Sequence, residues 1–290
     1  MEQIERIAFC GLGIMGAPMA ANLARAGFDL TVWTHTPGKA ERFAAEHGVR
    51  AAATPAEAAD EAGAVVTMVV DAPEVEGVLL GGEGAAEALV EGALCLDMST
   101  IAPSAARDLG ERLAERGLEF LEAPVSGSRP KATDGTLTIM AAGEPETFER
   151  TRPLLEAMGE RIVLVGPRGH GQLAKVLTNT MAAVNAAALA EAVRVVQRAG
   201  IDPERFLEVA GGSAGASTVL ALKGGPMFEA DFAPLFKLEH MLKDVRHCLA
   251  EADALGVELR LGATAAERYG RAAETGHGGE DFAAVIEATG

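Results

Sequence analysis

The segment GHGQLAKVLTN (169–179) sets Lys175 and Asn179 four residues apart. On a helix that spacing puts both side chains on one face, where they can converge on one ligand. The run from Gln172 to Ala199 holds no proline or glycine before Gly200 and is dense in Ala, Leu, Val and Met. One helix roughly 40 Å long is expected there. Leu173, Ala174, Val176 and Leu177 surround the lysine with apolar neighbours. A lysine is seldom buried without a partner or a task; the plainer alternative is a surface lysine near a helix start. A reaction that builds negative charge on an oxygen is one that such a residue can serve. A fixed ammonium within hydrogen-bond reach stabilises that charge and supplies the proton, with no metal required. A buried lysine also gives up its proton more easily than a solvated one, so the same group could act as a base.

Gly11, Gly13 and Gly16 of FCGLGIMGAPMAANL form G-x-G-x-x-G. Such a turn is tight, lets a pyrophosphate approach bare backbone, packs the helix closely on the strand and presents free N–H groups to the anion. The pattern follows a strand-like run, opens a helix and precedes a second strand ending at Trp33, which favours a dinucleotide site over a purely structural turn. Beyond Trp33 stand Thr34, His35 and Thr36, with Lys39 and Arg42 in the next helical turns and no acid at the strand end. An acid there would accept from the ribose hydroxyl of NAD. Hydroxyls, an imidazole and cations suit the extra phosphate of NADP, so NADP is favoured and NAD is the weaker option. The same threonines and histidine could instead simply cap the following helix.

LDMSTIAPS (96–104) and LEAPVSGSRP (121–130) each lie just past a strand-like run, where open α/β sheets form their ligand crevice. Ser126, Gly127 and Ser128 offer hydroxyls and successive N–H groups suited to a carboxylate, although SGS is also a common turn. FKLEHMLKDVRHC (236–248) places Phe236, His240, Lys243 and Asp244 near the start of a helix; on its own such a charged face reads as solvated.

These residues need a scaffold, and its rhythm is visible. Residues 4–123 alternate short apolar runs (RIAFC, FDLTVW, AVVTMVV, ALCLDMS, LEFLEA) with alanine-rich amphipathic stretches, which argues βαβ units and a parallel sheet. TLTIMAAG (136–143) and IVLVG (162–166) are two further strand-like runs flanking a helix-like segment. From Gly171 onward nothing alternates with period two, and the remainder reads as helices punctuated at Gly200, Gly211-Gly212, Gly224-Gly225-Pro226 and Gly276 to Gly279. The expected fold class is α/β: an N-terminal Rossmann-type doubly wound sheet over 1–168, then an all-α C-terminal domain over 169–290, joined by the long interdomain helix with Lys175 at a cleft edge.

A chain of 290 residues, 49% hydrophobic, suits two domains or one large one with a sizeable core. A net charge of −17 disfavours nucleic acid and anionic lipid surfaces, so an anionic ligand needs a local positive pocket. Cys10, Cys95 and Cys248 show no metal-like spacing and sit in apolar contexts, fitting buried thiols and a reducing cytoplasm. MEQIERIAFCGLG runs straight into a strand without a cationic and apolar leader, so no secretory signal is expected. The apolar window Met181 to Val196 is interrupted by Asn185, Glu191 and Arg194, which argues against a membrane span. Helices apolar on all sides in the second half point to a homodimer or homotetramer.

Together the motifs resemble the β-hydroxyacid dehydrogenase family, relatives of 3-hydroxyisobutyrate dehydrogenase and 6-phosphogluconate dehydrogenase, along nearly the whole chain. GLGIMGAPMAANL is similar to the family's cofactor loop, DMSTIAP and EAPVSGS to its substrate segments, GHGQLAKVLTN to its catalytic helix, and FKLEHMLKD to its C-terminal contact segment. EAPVSGSRPKATDGTLTIMAAGE and GGEDFAAVIEA are especially similar to glyoxylate and succinic semialdehyde reductases. The resemblance implies that Lys175 is the general acid in carbonyl reduction and the base in reverse. It implies that Asn179, Ser126, Gly127 and Ser128 hold the substrate, with Thr100 beside the carbonyl and nicotinamide. Gly11, Leu12, Gly13, Ile14, Met15, Val70 and Asp71 would line the cofactor, Phe236 and Asp244 would close the site, and Lys243 would reach the nicotinamide end. One position departs: where NADP members commonly read Asn-Arg-Thr, this chain has Thr34-His35-Thr36. The implied activity is hydride transfer between NADP(H) and a small carboxylate-bearing aldehyde or hydroxy acid, of the glyoxylate, succinic semialdehyde, methylmalonate semialdehyde, tartronate semialdehyde or 3-hydroxyisobutyrate type. Two other readings are an imine reductase, which usually replaces the lysine, and a noncatalytic NADP-binding interaction module, whose known forms lack the lysine and carry basic appendages.

Overall fold

The computed structural model describes residues 4–289; Met1–Gln3, where the stretch read for a leader begins, and Gly290 lie outside them. Two compact units divide the chain, 1–175 and 176–290.

The first unit carries nine strands among the described residues: β1 Arg6–Cys10, β2 Asp29–Trp33, β3 Arg50–Ala51, β4 Ala64–Thr67, β5 Leu94–Asp97, β6 Glu119–Glu122, β7 Val125–Ser126, β8 Leu137–Ala142 and β9 Gly159–Gly166. Between them run α1 Gly16–Arg25, α2 Lys39–His47, α3 Pro55–Ala59, α4 Ala72–Leu80, α5 Pro103–Ala114, α6 Ser128–Asp134 and α7 Pro145–Met158. The sheet order is β3-β2-β1-β4-β5-β6-β8-β7, with β9 on β8. Strands β3 through β6 are parallel, whereas β8 runs antiparallel to β6 and β7. The strand order reverses between β1 and β4, which is where an open sheet forms its ligand crevice beyond the strand ends.

Why this sheet is covered on both faces follows from its residues. In β1, β4 and β5, Phe9, Val66 and Leu96 pack into one apolar cluster with Met19 and Leu23 of α1 and Phe148 and Leu155 of α7. Their neighbours Ala8, Val65 and Cys95 pack into another with Val75 and Leu79 of α4 and Leu109 and Leu113 of α5. Alternate side chains leave opposite faces of a strand. A run apolar at every position therefore needs helices on both sides. Cys10, Cys95 and Cys248 are all buried free thiols, and burial pushes Cys10 and Cys95 up to about 12.

The long helix α8 spans His170–Ala199, and α9 Pro203–Gly211, α10 Thr218–Glu229, α11 Leu238–Ala254 and α12 Arg260–Ala272 follow. Length and composition alone would let α8 cross a membrane, at a mean hydropathy of 1.3; Ala183, Ala186, Ala190 and Val193 lie instead in the apolar core of the second unit. That core is closed by the C-terminal turn Phe282–Ala288. One expectation fails here. Gly224-Gly225-Pro226 does not separate two helices but lies inside α10. A Cβ at Gly224 would stand 2.5 Å from Cδ2 of Leu207 on α9, so the glycine serves close helix contact rather than a break.

Candidate active site

The three motif glycines occupy chemically different positions. A Cβ on Gly11 would lie 2.3 Å from the Met68 carbonyl oxygen, and one on Gly16 would lie 1.9 Å from the Gly11 carbonyl oxygen. Gly13 has nothing within 4 Å of its would-be Cβ among the described residues. The first and third glycines are thus fixed by packing, while the middle one exposes bare backbone to open space, the condition for a pyrophosphate to approach. Leu12 beneath the loop is buried and Met15 half-buried, whereas Ile14 is 45% exposed. Val70, beyond β4, is 47% exposed. Two large apolar side chains displayed at the ends of adjacent strands offer the kind of surface that a dinucleotide covers. Asp71 caps α4 through its own carboxylate, which accepts from the Ala72 N–H at 2.8 Å. The residues present fit a nicotinamide dinucleotide.

After Trp33, Thr34 is half-buried and His35 and Thr36 are exposed. Lys39 begins α2, its amide bonded to the Thr36 carbonyl at 3.2 Å. The Arg42 guanidinium folds back over this turn, its Nη1 lying 3.2 Å from where a Cβ of Gly38 would be. The first acid after β2 is Glu41, within α2.

Thr100 lies past β5, and Ser126, Gly127 and Ser128 link β7 to α6. Ser128 holds a φ of +55°, an uncommon conformation for serine. A Cβ on Gly127 would meet Lys131 at 2.7 Å. Lys175 is only 7% exposed, one turn into α8. Within the first unit, then, the structure gathers the glycine loop, Val70-Asp71, Thr100, Ser126 to Ser128 and the lysine-bearing helix start on the C-terminal side of the sheet.

The second unit holds its own cluster. Asn179, one turn beyond Lys175, donates through Nδ2 to Asp244 Oδ2 at 2.6 Å, and Lys243 Nζ pairs with Asp244 Oδ1 at 3.1 Å. Asp244 is buried. The face read as solvated is therefore an inward one where it carries this acid. Phe236 packs edge-on against Phe282 with 6.3 Å between ring centres and tilts against His240 at 6.1 Å. Burial lowers the pKa of His240.

Several buried polar residues escaped the sequence reading. Glu122, Asp97, Ser99 and Gln172 are buried although little in their local sequence marks them, and Lys223 and Asp281 form a buried ion pair at 2.8 Å. The available signal was an acid closing an otherwise apolar strand, as in LEFLEA.

Fold and site define a nicotinamide-dinucleotide-binding oxidoreductase. Residues 6–166 match the NAD binding domain of 6-phosphogluconate dehydrogenase, and residues 169–289 match the NAD-binding domain of NADP-dependent 3-hydroxyisobutyrate dehydrogenase. The chain is 37% identical to 2-hydroxy-3-oxopropionate reductase of Escherichia coli, covering 98% of this chain and 96% of that one. It is 33% identical to glyoxylate/succinic semialdehyde reductase 1 of Arabidopsis thaliana, with 97% of each covered. Its structure superposes on a 3-hydroxyisobutyrate dehydrogenase from Salmonella typhimurium with a TM-score of 0.89 at 31% identity, covering 97% of this chain and 99% of that one. The protein belongs to the β-hydroxyacid dehydrogenase family.

Proposed function

We propose that the protein is an NADPH-preferring reductase of short aldehyde acids, with glyoxylate, succinic semialdehyde and 2-hydroxy-3-oxopropionate (tartronate semialdehyde) as the leading substrates. The observation that carries this reading is a lysine only 7% exposed on the helix whose first turn is hydrogen-bonded to the segment after β5 and to the end of β6. The names of the relatives supply the substrate class.

Gly11, Leu12, Gly13, Ile14, Met15 and Gly16 would hold the pyrophosphate, and Val70, Asp71 and Thr100 would flank the rest of the dinucleotide. Thr34, His35, Thr36 and Lys39, supported by Arg42, would receive the NADP phosphate; with no carboxylate at the end of β2, nothing there repels it. NADPH supplies the hydride when bound. Reduction of the carbonyl would leave negative charge on its oxygen. The Lys175 ammonium stabilises the growing charge and transfers one proton to the oxygen, leaving a neutral amine that solvent recharges. In the oxidative direction the amine takes that proton back. Ser126, Gly127 and Ser128 are assigned to the substrate carboxylate. In the second unit, Asn179, Phe236 and Asp244 are assigned to the substrate and Lys243 to the cofactor. We place the enzyme in the cytoplasm as a homodimer or homotetramer.

Lys175→Ala tests the mechanism. Turnover should fall on the order of 10²-fold or more while NADPH affinity, read by fluorescence quenching, stays nearly constant. Near wild-type turnover would remove Lys175 from the chemistry. A panel of small aldehyde acids assayed with NADPH and NADH at equal concentration tests the substrate and the cofactor together; equal rates with both cofactors would end the NADPH preference.

A further inference from the structure

The first turn of α8 is held by a continuous buried polar network. Glu122, at the end of β6, accepts at Oε1 from the N–H groups of Gly169 at 2.9 Å, Gly171 at 2.8 Å and Gln172 at 3.4 Å. These lie at a helix start, where the first amides have no partner within the helix. Gln172 reaches in another direction: its Oε1 accepts from the Ile101 N–H at 3.1 Å and its Nε2 donates to the Ser99 carbonyl at 2.9 Å. Ser99 accepts at Oγ from the Val69 N–H at 3.0 Å, and its own N–H donates to Asp97 Oδ1 at 3.1 Å. Asp97 Oδ1 also accepts from the Thr67 hydroxyl at 2.7 Å. Thr67, Asp97, Ser99, Glu122 and Gln172 are all buried.

This network ties the ends of β4, β5 and β6 to the beginning of the helix that carries Lys175. Gln172 bonds on both sides of Thr100 in sequence, at the Ser99 carbonyl and the Ile101 amide. Lys175 follows three residues later, on the next turn of the same helix. An apolar side chain of similar volume could fill the space, but it could slide. An amide with a donor and an acceptor directed at two fixed backbone groups cannot slide without leaving buried polar atoms unsatisfied.

We infer that Gln172 is a positioning residue of the reductase: its side-chain amide fixes the separation between Lys175 and the Thr100 segment, with Glu122 anchoring the helix start. The inference rests on the assignment of Lys175 as proton donor. Proton transfer needs close, fixed geometry, and a misplacement near 1 Å can cost about 10²-fold.

Gln172→Leu removes both hydrogen bonds. Gln172→Glu keeps the acceptor for Ile101 and turns a carboxylate oxygen on the Ser99 carbonyl. Both variants should be compared with wild type and Lys175→Ala for kcat, KM, the pH profile of kcat, NADPH binding by fluorescence quenching, and melting temperature. The substrate is the best aldehyde acid of the panel. The expected result is that kcat in Gln172→Leu falls at least tenfold while NADPH affinity stays within twofold. The pH limb abolished in Lys175→Ala should be displaced in Gln172→Leu. A folded Gln172→Leu with wild-type kcat and an undisplaced limb overturns the inference. So does a loss of kcat matched by an equal loss of NADPH affinity, which marks general loosening. Should Gln172→Leu fail to fold, Gln172→Glu carries the same two criteria. If Lys175→Ala itself keeps its turnover, the parent assignment fails; if only the Gln172 variants behave as wild type, the positioning role alone fails.

Discussion

Glu122 in the first unit and Asp281 in the second are buried carboxylates that tie a loop to a helix or turn, and they are satisfied in different ways. Glu122 in the first unit is met by three backbone amides at one oxygen, while its other oxygen, Oε2, makes no hydrogen bond among the described residues and Asp97 lies within electrostatic reach. Asp281 in the second unit accepts at Oδ2 from the amides of Leu235 and Phe236 and at Oδ1 from Ala283. It also has a cation, because Lys223 Nζ lies 2.8 Å from Oδ1 and 4.7 Å from the centre of the Phe282 ring. Burial raises the pKa of Glu122 against the opposing pull of its amides, whereas Asp281 has an ammonium beside it as well as amides. The first arrangement is a titratable anchor beside the proposed proton donor, and the second is a fixed anchor for the segment that presents Phe236.

The largest effect should come from breaking the fixed anchor. Asp281→Ala strands the Lys223 ammonium and three amides in a buried site, and the expected loss of stability is about 3–5 kcal/mol. Removing both charges in Lys223→Met/Asp281→Ala should cost clearly less than the sum of the two single changes. Urea unfolding of the four proteins measures this. An additive cycle would mean that the ion pair is not what distinguishes Asp281 from Glu122.

The titratable anchor should appear as a pH dependence. Burial raises the pKa of Glu122 from 4.5 to about 7, opposed by the amides of Gly171, Gln172 and Gly169 and reinforced by Asp97. Below about pH 4.5 the group is protonated both folded and unfolded. Between there and about pH 7 the folded chain keeps a proton that the unfolded chain has released, so this group makes stability fall as pH rises. The shift corresponds to about 3 kcal/mol. Glu122→Gln retains an acceptor for the amides but cannot ionise, so its stability curve from pH 5 to 8 should lack this slope. Parallel curves for wild type and Glu122→Gln would show that Glu122 does not titrate in the folded state over this range.

What the sequence displays and what it conceals follows from the range of the interaction. The glycine loop, the βαβ rhythm and the lysine on a long helix are local patterns, readable because strand and helix periodicities and turn chemistry act over a few residues. Glu122 meets Gly169 across 47 residues, and Asn179 meets Asp244 across 65. No local pattern announces either contact, which is why the face bearing Asp244 reads as solvated until the fold buries it. Gly224-Gly225-Pro226 misleads in the opposite sense: a local breaker signal is outweighed by the close packing of α9 against Gly224. Of these buried residues, Glu122 carries the clearest local signal, an acid at the end of an apolar strand. A charged residue closing a strand that is buried on both faces has to find partners, even when the sequence does not say which.

The smallest expected effect sharpens the account of Asp281. Tyr269 is wholly buried, its hydroxyl makes no hydrogen bond among the described residues, and burial, with Asp281 second, raises its pKa. If Lys223 and the three amides satisfy Asp281 by themselves, the hydroxyl adds nothing to the anchor. Its removal then relieves a buried polar group at no cost in packing. Tyr269→Phe should therefore change stability by less than about 1 kcal/mol in either direction. A loss well beyond that would place the hydroxyl within the Asp281 anchor, and Asp281→Ala and Tyr269→Phe would then be non-additive in a double-mutant cycle.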